Sequence, residues 1–166
     1  MKLSGGVEWA LHCCVVLTAA GDEPVAVGRL AQLHDVSTTY LAKQMQALSR
    51  AGIVRSTQGH AGGYALTRAP SKITVLDVVT AIDGTQSTFA CTEIRQRGPL
   101  AAPAEACLKP CAVNRAMTAA DQAWRAALRK VTIADLARDV DRDYVDDVLG
   151  TVSGWLAGSI DEARSG

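Results

Sequence analysis

Two short helical patterns joined by a three-residue turn constrain the fold of this chain more than any other feature. Residues 27–34 and 38–51 each repeat apolar side chains at helical spacing, and Asp35-Val36-Ser37 forms the turn between them. Gly52 follows where the second helix is expected to end. This arrangement is typical of a helix-turn-helix, whose second helix enters a groove of duplex DNA. The side chains expected on the outer face of that helix include Thr38, Thr39, Tyr40, Lys43 and Gln44.

A glycine-rich turn between two β-prone runs follows directly, with the runs at residues 53–57 and 64–67. The pattern predicts a β-hairpin, which beside a helix-turn-helix forms a wing with Gln58 and His60 as candidate DNA contacts. A purely structural hairpin is the alternative. However, six lysines and arginines between residues 25 and 72 face a single acidic residue, and such a segment favours a phosphate-rich partner. With one further helix, residues 74–82, this DNA-binding domain covers residues 1–84.

The segment ahead of the helix-turn-helix predicts a first helix over residues 4–20. Its apolar stripe consists of Val7, Leu11, Cys14 and Val15. Glu8 and His12 lie one turn apart on a neighbouring face, so their side chains can converge. Such a pair is either a two-ligand platform for a metal or an ordinary surface hydrogen bond. Cys13 and Cys14 are predicted to be core residues, because small thiols are commonly buried.

The cysteine loop, residues 91–111, reads CTEIRQRGPLAAPAEACLKPC and has no regular apolar period. Thiolates select zinc, copper(I) or iron–sulfur clusters. No apolar run reaches the length of a membrane span, and the first residues lack an export signal. We therefore expect a cytoplasmic protein without a membrane partner. In that compartment its five cysteines indicate metal or redox chemistry rather than disulfides.

A long helix is predicted after the loop, starting at Pro110 and running to about Val131. Its apolar stripe consists of Met117, Ala120, Trp124, Leu128 and Val131. Such a stripe indicates either a partner helix in a homodimer or packing against its own domain. The predicted organisation is thus a cluster-binding loop over residues 85–111 and a dimerisation helix over residues 112–140. An acidic tail over residues 141–166, with a helix at 145–160, completes the chain.

The run VSTTYLAKQMQALSRAGIVRSTQGHAGGYALTR, followed by ITVLDVVTAIDG, resembles the IscR/NsrR/RsrR family of winged-helix transcription regulators. The likeness covers roughly residues 1–136, and the opening MKLSGGVEWALHCCVVL is most similar to the RsrR-type branch. The resemblance implies a mainly α fold with a small β-hairpin wing and a long dimerisation helix. It also implies a redox-sensing [2Fe–2S] cluster bridging a homodimer on a double-stranded DNA operator. By the same resemblance Cys91 and Cys111 bind one iron, and Glu8 and His12 of the other subunit bind the second.

Two departures from the family pattern limit these expectations. Fifteen residues separate Cys91 from Cys107 and three separate Cys107 from Cys111, whereas relatives with three evenly spaced cysteines have five in each gap. Cys107 is therefore a spare thiol, or the alternative ligand if Glu8 is not one. The wing also has Gln58, Ala61 and Ala65 where the family often has basic residues. Weak minor-groove binding by the wing is expected as a result.

Three alternatives to a redox-sensing cluster protein follow from the same residues. The first is a cluster-free or zinc-bound repressor that senses thiol oxidation through Cys107 and its neighbours. The second is a cysteine hydrolase, but the sequence has no nucleophile elbow, phosphate loop or paired-carboxylate pattern, so we expect no enzyme. The third, a dimerisation protein without DNA binding, conflicts with the predicted wing and the basic segment.

Overall fold

Helices make up most of the computed structural model, which describes residues 3–59, 61–87, 89–144 and 147–164. The elements in this part of the chain are α1 (Gly5–Ala19), α2 (Val27–Leu33), α3 (Thr38–Arg50), β1 (Val54–Thr57), β2 (Gly63–Leu66), α4 (Val75–Asp83), α5 (Ala112–Arg129), α6 (Ile133–Asp143) and α7 (Val148–Arg164). The predicted fold class, mainly helical with a small hairpin wing, is confirmed. Between α4 and α5 the described residues form two short 3₁₀ turns, Ile94–Gln96 and Ala104–Cys107.

Helix α1 lies at the centre of the fold, where α3, α4, α6 and α7 all pack against it. The predicted stripe on α1 is therefore too narrow, since every residue from Cys13 to Leu17 is buried. The core around it draws fully buried side chains from several elements, among them Leu30, Leu41, Met45, Leu48, Ile53, Ile73 and Ile133. Burial of this many aliphatic groups, each contributing roughly 1.5–3 kcal/mol, stabilises the helix-turn-helix as one rigid unit.

The wing is an antiparallel hairpin in which Val54 pairs with Leu66 and Thr57 pairs with Gly63. A third backbone segment joins it, because Val25 and Tyr64 exchange two hydrogen bonds of 2.9 and 2.8 Å. Gly63 is required at this crossing, since a Cβ there would lie 2.3 Å from the carbonyl carbon of Val25. The hairpin is thus fixed to the chain that enters α2.

The long helix predicted to run to about Val131 ends at Arg129, and α6 begins at Ile133, so the segment 112–140 that was assigned to one dimerisation helix contains two helices. The break is stabilised by two hydrogen bonds to the chain before α4, Val75 N–H to Val131 O and Ile133 N–H to Ile73 O, both 2.9 Å. Thr132 then starts α6 with a capping box that pairs it with Asp135. These long-range contacts leave no trace in the local apolar period, so the sequence did not predict the second helix, α6.

The helix predicted in the acidic tail exists as α7, Val148–Arg164, and residues 145 and 146 of the prediction lie outside the described residues. It docks onto the core through Leu156, which is 3 % exposed. It also contacts the helix-turn-helix directly. The Arg29 guanidinium lies 3.5 Å from the centre of the Trp155 ring and donates to the Trp155 carbonyl at 3.3 Å. Among the described residues, none of the helices is both long and apolar enough to cross a lipid bilayer.

Candidate functional site

The outer face of α3 presents four of the five side chains predicted there. Its buried side carries Leu41, Met45 and Leu48. The exposed set, called the reading face below, consists of Thr38, Thr39, Tyr40 and Lys43. These residues occupy the first half of α3, the part of a recognition helix that contacts base edges in helix-turn-helix proteins.

The prediction that Gln44 faces outward is wrong, because this side chain is only 7 % exposed. Gln44 packs against the backbone of α1, and a Cβ placed on Gly6 would lie 2.6 Å from its Oε1 atom. One turn earlier on α3, the Tyr40 hydroxyl lies 3.6 Å from the Cβ position of Gly5. The glycine pair at the start of α1 therefore brings that helix close to the recognition helix. By helical spacing, Gln44 lies at the border of the buried stripe of α3. Because Gly6 has no side chain, the space beside it is open, and the Gln44 side chain turns inward to fill it.

The wing exposes Gln58, as predicted, while His60 lies outside the described residues. Two arginines of the basic segment are engaged by the fold instead of being available to phosphates. Arg55 donates to the carbonyls of Leu66 and Asp22, both at 2.8 Å. Arg68 donates to the Gly52 and Lys72 carbonyls and lies 3.7 Å from an Asp77 oxygen. Arg29, which packs on Trp155, is also held by the fold. These contacts leave fewer side chains of the basic segment free to bind DNA phosphates.

The two adjacent cysteines of α1 are structural, as predicted. Both are fully buried, and burial raises the pKa of Cys13 to about 12. Burial, with a smaller contribution from Cys13, also raises the pKa of Cys14. Since the thiolate is the form that reacts and binds metal, burial disfavours both side chains as ligands or sensors.

The three cysteines of the cysteine loop are far more accessible. Cys91 is exposed, while Cys107 and Cys111 are half-buried. Cys111 is the N-cap of α5, and its Sγ accepts a hydrogen bond from the Asn114 N–H at 3.3 Å. The predicted start of this helix at Pro110 is thus displaced by two residues, because the sulfur caps the first turn. A helix N-terminus favours a negatively charged group, so Cys111 is well placed to act as a thiolate ligand.

The Glu8 and His12 side chains are both exposed on α1. Within the described part of this single chain, no group of three or more His, Cys, Asp or Glu side chains is arranged to hold a metal ion. The His12 ring packs at 5.9 Å from the His34 ring, which lies at the same distance from Trp9. Burial, and to a lesser degree His12, lowers the pKa of His34. Glu8 and His12 therefore lie on the exposed side of α1 and not in the core.

Arg95, which was not among the predicted site residues, organises the cysteine loop. Its guanidinium pairs with the Glu93 carboxylate and donates to the Cys107 and Lys109 carbonyls. Nothing in the local sequence distinguishes Arg95 from the exposed Arg97 two residues later. Only the folded path of the loop reveals the difference.

Comparisons with known proteins agree on the kind of molecule. A family model described as "Rrf2: Iron-dependent Transcriptional regulator" matches residues 3–139. The chain is 31% identical to protein aau3 of Rhizobium meliloti (strain 1021), over 90% of this chain and 92% of that protein. It is 29% identical to the HTH-type transcriptional repressor NsrR of Streptomyces coelicolor, over 82% and 88% of the two chains.

Solved structures share the fold. CymR, the global cysteine regulator of B. subtilis, superimposes with a TM-score of 0.66 at 24% identity, covering 83% of this chain and 97% of that one. T. potens IscR gives a TM-score of 0.66 at 20% identity, covering 88% and 93%. At these identities the two structures confirm the winged-helix architecture and do not by themselves indicate a ligand.

Proposed function

Because this chain belongs to the Rrf2 family of transcriptional regulators, we propose that it is a redox-sensing DNA-binding regulator with a [2Fe–2S] cluster. Family membership makes it a helix-turn-helix regulator of transcription and not an enzyme, as predicted. The family description as iron-dependent supports the choice of iron. The observation that carries the proposal is the division of suitable ligands between two separate places, α1 and the cysteine loop.

The proposed active form is a homodimer. Among its 18 residues α5 has no buried side chain, and Val113 and Met117 are 63 % and 41 % exposed. Only the far end of the helix meets its own domain, where Trp124 and Leu128 pack against Val7 and its neighbours. A second copy of α5 would cover the rest and would place two reading faces about one DNA turn apart, ~34 Å.

In the dimer, Cys91 and Cys111 of one subunit would hold one iron, and the partner subunit's Glu8 and His12 would hold the other. The donor set fits such a cluster, since it combines an exposed thiol, a thiol at a helix N-terminus and an exposed carboxylate–imidazole pair. When bound, a [2Fe–2S] cluster supplies a one-electron redox change, and imidazole ligation raises its potential. Cys107 is the alternative ligand in place of Glu8.

The residues of α1 link the proposed ligands to DNA reading. Glu8 and His12 lie on the helix whose first turn seats Gln44 and Tyr40 of α3. A movement of α1 caused by a change in the cluster would therefore also move α3, because the two helices are in close contact. We expect the oxidised cluster form to bind DNA tightly and the reduced or cluster-free forms to bind weakly. Equal affinity of all three forms in an anaerobic gel-shift series would contradict this.

The deciding experiment is an anaerobic visible spectrum with iron and sulfide analysis of full-length wild type, Cys91→Ala, Cys111→Ala and His12→Ala. We expect iron and sulfide in wild type, loss of both in the two cysteine variants, and a shifted spectrum in the histidine variant. Cys107→Ala is the matched control, because this thiol lies in the same loop and is predicted to be spare. A colourless wild type, or loss of iron in Cys107→Ala alone, would contradict the proposed ligand set.

DNA reading by α3 has its own test. Lys43→Ala should weaken binding to every duplex and reduce the slope of log affinity against log salt by about 1, as removal of one phosphate contact does. Gln46→Ala, also exposed on α3, is the control for changes in helix stability. Unchanged affinity and slope in Lys43→Ala would remove this residue from the reading face.

A second candidate function is a thiol-sensing repressor that binds zinc or no metal. The exposure of Cys91 and the absence of a metal-holding group within the described part of one chain favour it. In that case Cys91→Ala and Cys107→Ala would abolish a response to peroxide, and zinc or no metal would replace iron in the analysis.

A further inference from the structure

The Arg95 side chain forms more hydrogen bonds than any other side chain in the described cysteine loop. Its Nε and Nη2 atoms form a two-pronged pair with the Glu93 carboxylate, with Nη2 at 2.8 Å from Oε2. Nη2 also donates to the Lys109 carbonyl at 3.0 Å and to the Cys107 carbonyl at 3.4 Å. The side chain is 28% exposed, so these bonds are shielded in part from solvent.

These contacts join the two ends of the loop. Glu93 lies two residues after Cys91, while Cys107 and Lys109 lie just before Cys111. The main chain of Arg95 adds a third link, since its carbonyl accepts from the Ala102 N–H at 2.8 Å. Fifteen residues between Cys91 and Cys107 would otherwise leave the first thiol free to sample many positions. Arg95 closes that long connection with its side chain.

We propose that Arg95 is the positioning residue of the cysteine loop, which holds the Cys91 segment against the Cys107–Cys111 segment and places a fixed positive charge beside the sulfur ligands. The inference rests on the proposed function, because it assigns to Arg95 a role toward the same ligand site. Arginine suits both tasks, since its planar fork binds a carboxylate and carbonyls at once and stays charged. The Glu93 carboxylate, and with it Cys107 and Cys111, raises the pKa of Arg95 further.

The first test measures amide hydrogen exchange in full-length, cluster-free protein. Arg95→Gln should speed exchange about tenfold or more in peptides covering residues 94–107, because it removes the charge-assisted hydrogen bonds that close the loop. The Ala102 and Ala106 amides, which bond to Arg95 and Pro103 carbonyls, are the reporters. Arg97→Gln is the matched control, since Arg97 is exposed and donates no side-chain hydrogen bond within the described residues.

The second test uses cluster-loaded protein and measures the midpoint potential and the visible circular dichroism. A nearby positive charge stabilises the added electron, so Arg95→Gln should shift the potential to more negative values, while Arg97→Gln should not. Arg95→Lys should restore the potential but not the slow exchange, because lysine keeps the charge without the fork.

The possible results separate this inference from the proposed function. Exchange in Arg95→Gln that equals wild type, or that is matched by Arg97→Gln, would overturn the positioning role whatever metal is bound. Slow exchange in Arg95→Lys would overturn the requirement for the fork. A wild type without iron would overturn the proposed function alone, and the exchange experiment would still decide the role of Arg95.

Discussion

Helices α3 and α5 are both amphipathic, yet they differ in how the rest of the chain covers them. Four of the 13 residues of α3 are buried, and its apolar side is sealed by α1, α2 and the chain into β1. None of the 18 residues of α5 is buried, and its first half projects Val113 and Met117 into solvent. The same local pattern therefore serves a closed core in one place and an open surface in the other.

The comparison shows that an apolar stripe indicates that a helix face is buried by some partner. It does not indicate whether that partner is the same chain or a second copy. A recognition helix must be held rigidly by its own domain so that its outer face keeps a fixed shape. A helix that joins two copies must leave its stripe uncovered until the copies meet. We expect substitutions in the two helices to fail in different ways, and four predictions follow this contrast in order of decreasing effect.

Truncation in the closed region has the largest expected effect. Leu41→Ala in α3, where the side chain is fully buried, should lower the free energy of unfolding by about 2–5 kcal/mol. Leu108→Ala in the cysteine loop, 85 % exposed, should change it by less than about 0.5 kcal/mol. Urea unfolding at one fixed protein concentration measures both. Similar losses in the two variants would remove the distinction between core and surface.

A charge on the open stripe should separate the subunits of the proposed homodimer without unfolding them. Met117→Asp in α5 should raise the dimer dissociation constant about 30-fold or more, as loss of an interface anchor of about 2 kcal/mol does. Gln122→Asp places the same charge on another exposed position of α5 and is the control. Sedimentation velocity with far-ultraviolet circular dichroism checks mass and folding together. An unchanged dimer in Met117→Asp would exclude this stripe as the interface.

Alkaline pH should destabilise the fold through the closed region. The Cys13 thiol stays protonated in the folded chain up to a pKa of about 12, whereas its ordinary value is 9.0. The unfolded chain therefore releases this proton first, and stability falls as pH rises above 9 by up to about 1.4 kcal/mol per pH unit. Because burial raises the pKa of Cys14 as well, Cys13→Ala should reduce that slope without abolishing it, while Cys91→Ala, at an exposed thiol, is the control. Identical slopes in wild type and Cys13→Ala would contradict the assignment.

The smallest effect concerns the contact between α1 and α3. Gly6→Ala should cost about 1 kcal/mol, since the new methyl group would lie 2.6 Å from the buried Gln44 side chain. Gly28→Ala in α2 meets nothing within 4 Å and should stabilise the helix by about 0.5–1 kcal/mol. Thermal unfolding distinguishes the two signs. Stabilisation by both substitutions would show that the Gln44 side chain can move aside without a cost in stability.

Much of the helix-turn-helix and the wing was predictable because the sequence features that specify them are local. Apolar spacing and Gly52 bounded α3, and the glycine-rich turn after Thr57 marked the wing. The further helix predicted over residues 74–82 exists as α4, which Thr74 starts with a capping box to Asp77. The errors at Gln44 and at α6 arise where a contact from a distant segment decides the outcome, whereas the start of α5 was misplaced because Cys111 caps that helix. Local periodicity contains no information about such contacts.

The sequence alone determined the helix-turn-helix, the hairpin, the buried nature of Cys13 and Cys14, and the presence of three accessible thiols in one loop. These features depend on residue type and on spacing within one or two helical turns. Only the tertiary structure decided that Gln44 turns inward and that α7 packs on the helix-turn-helix through Trp155. It also decided that Arg95 rather than Arg97 closes the cysteine loop. In each case the deciding interaction joins residues more than ten positions apart, and its geometry exists only after the chain has folded.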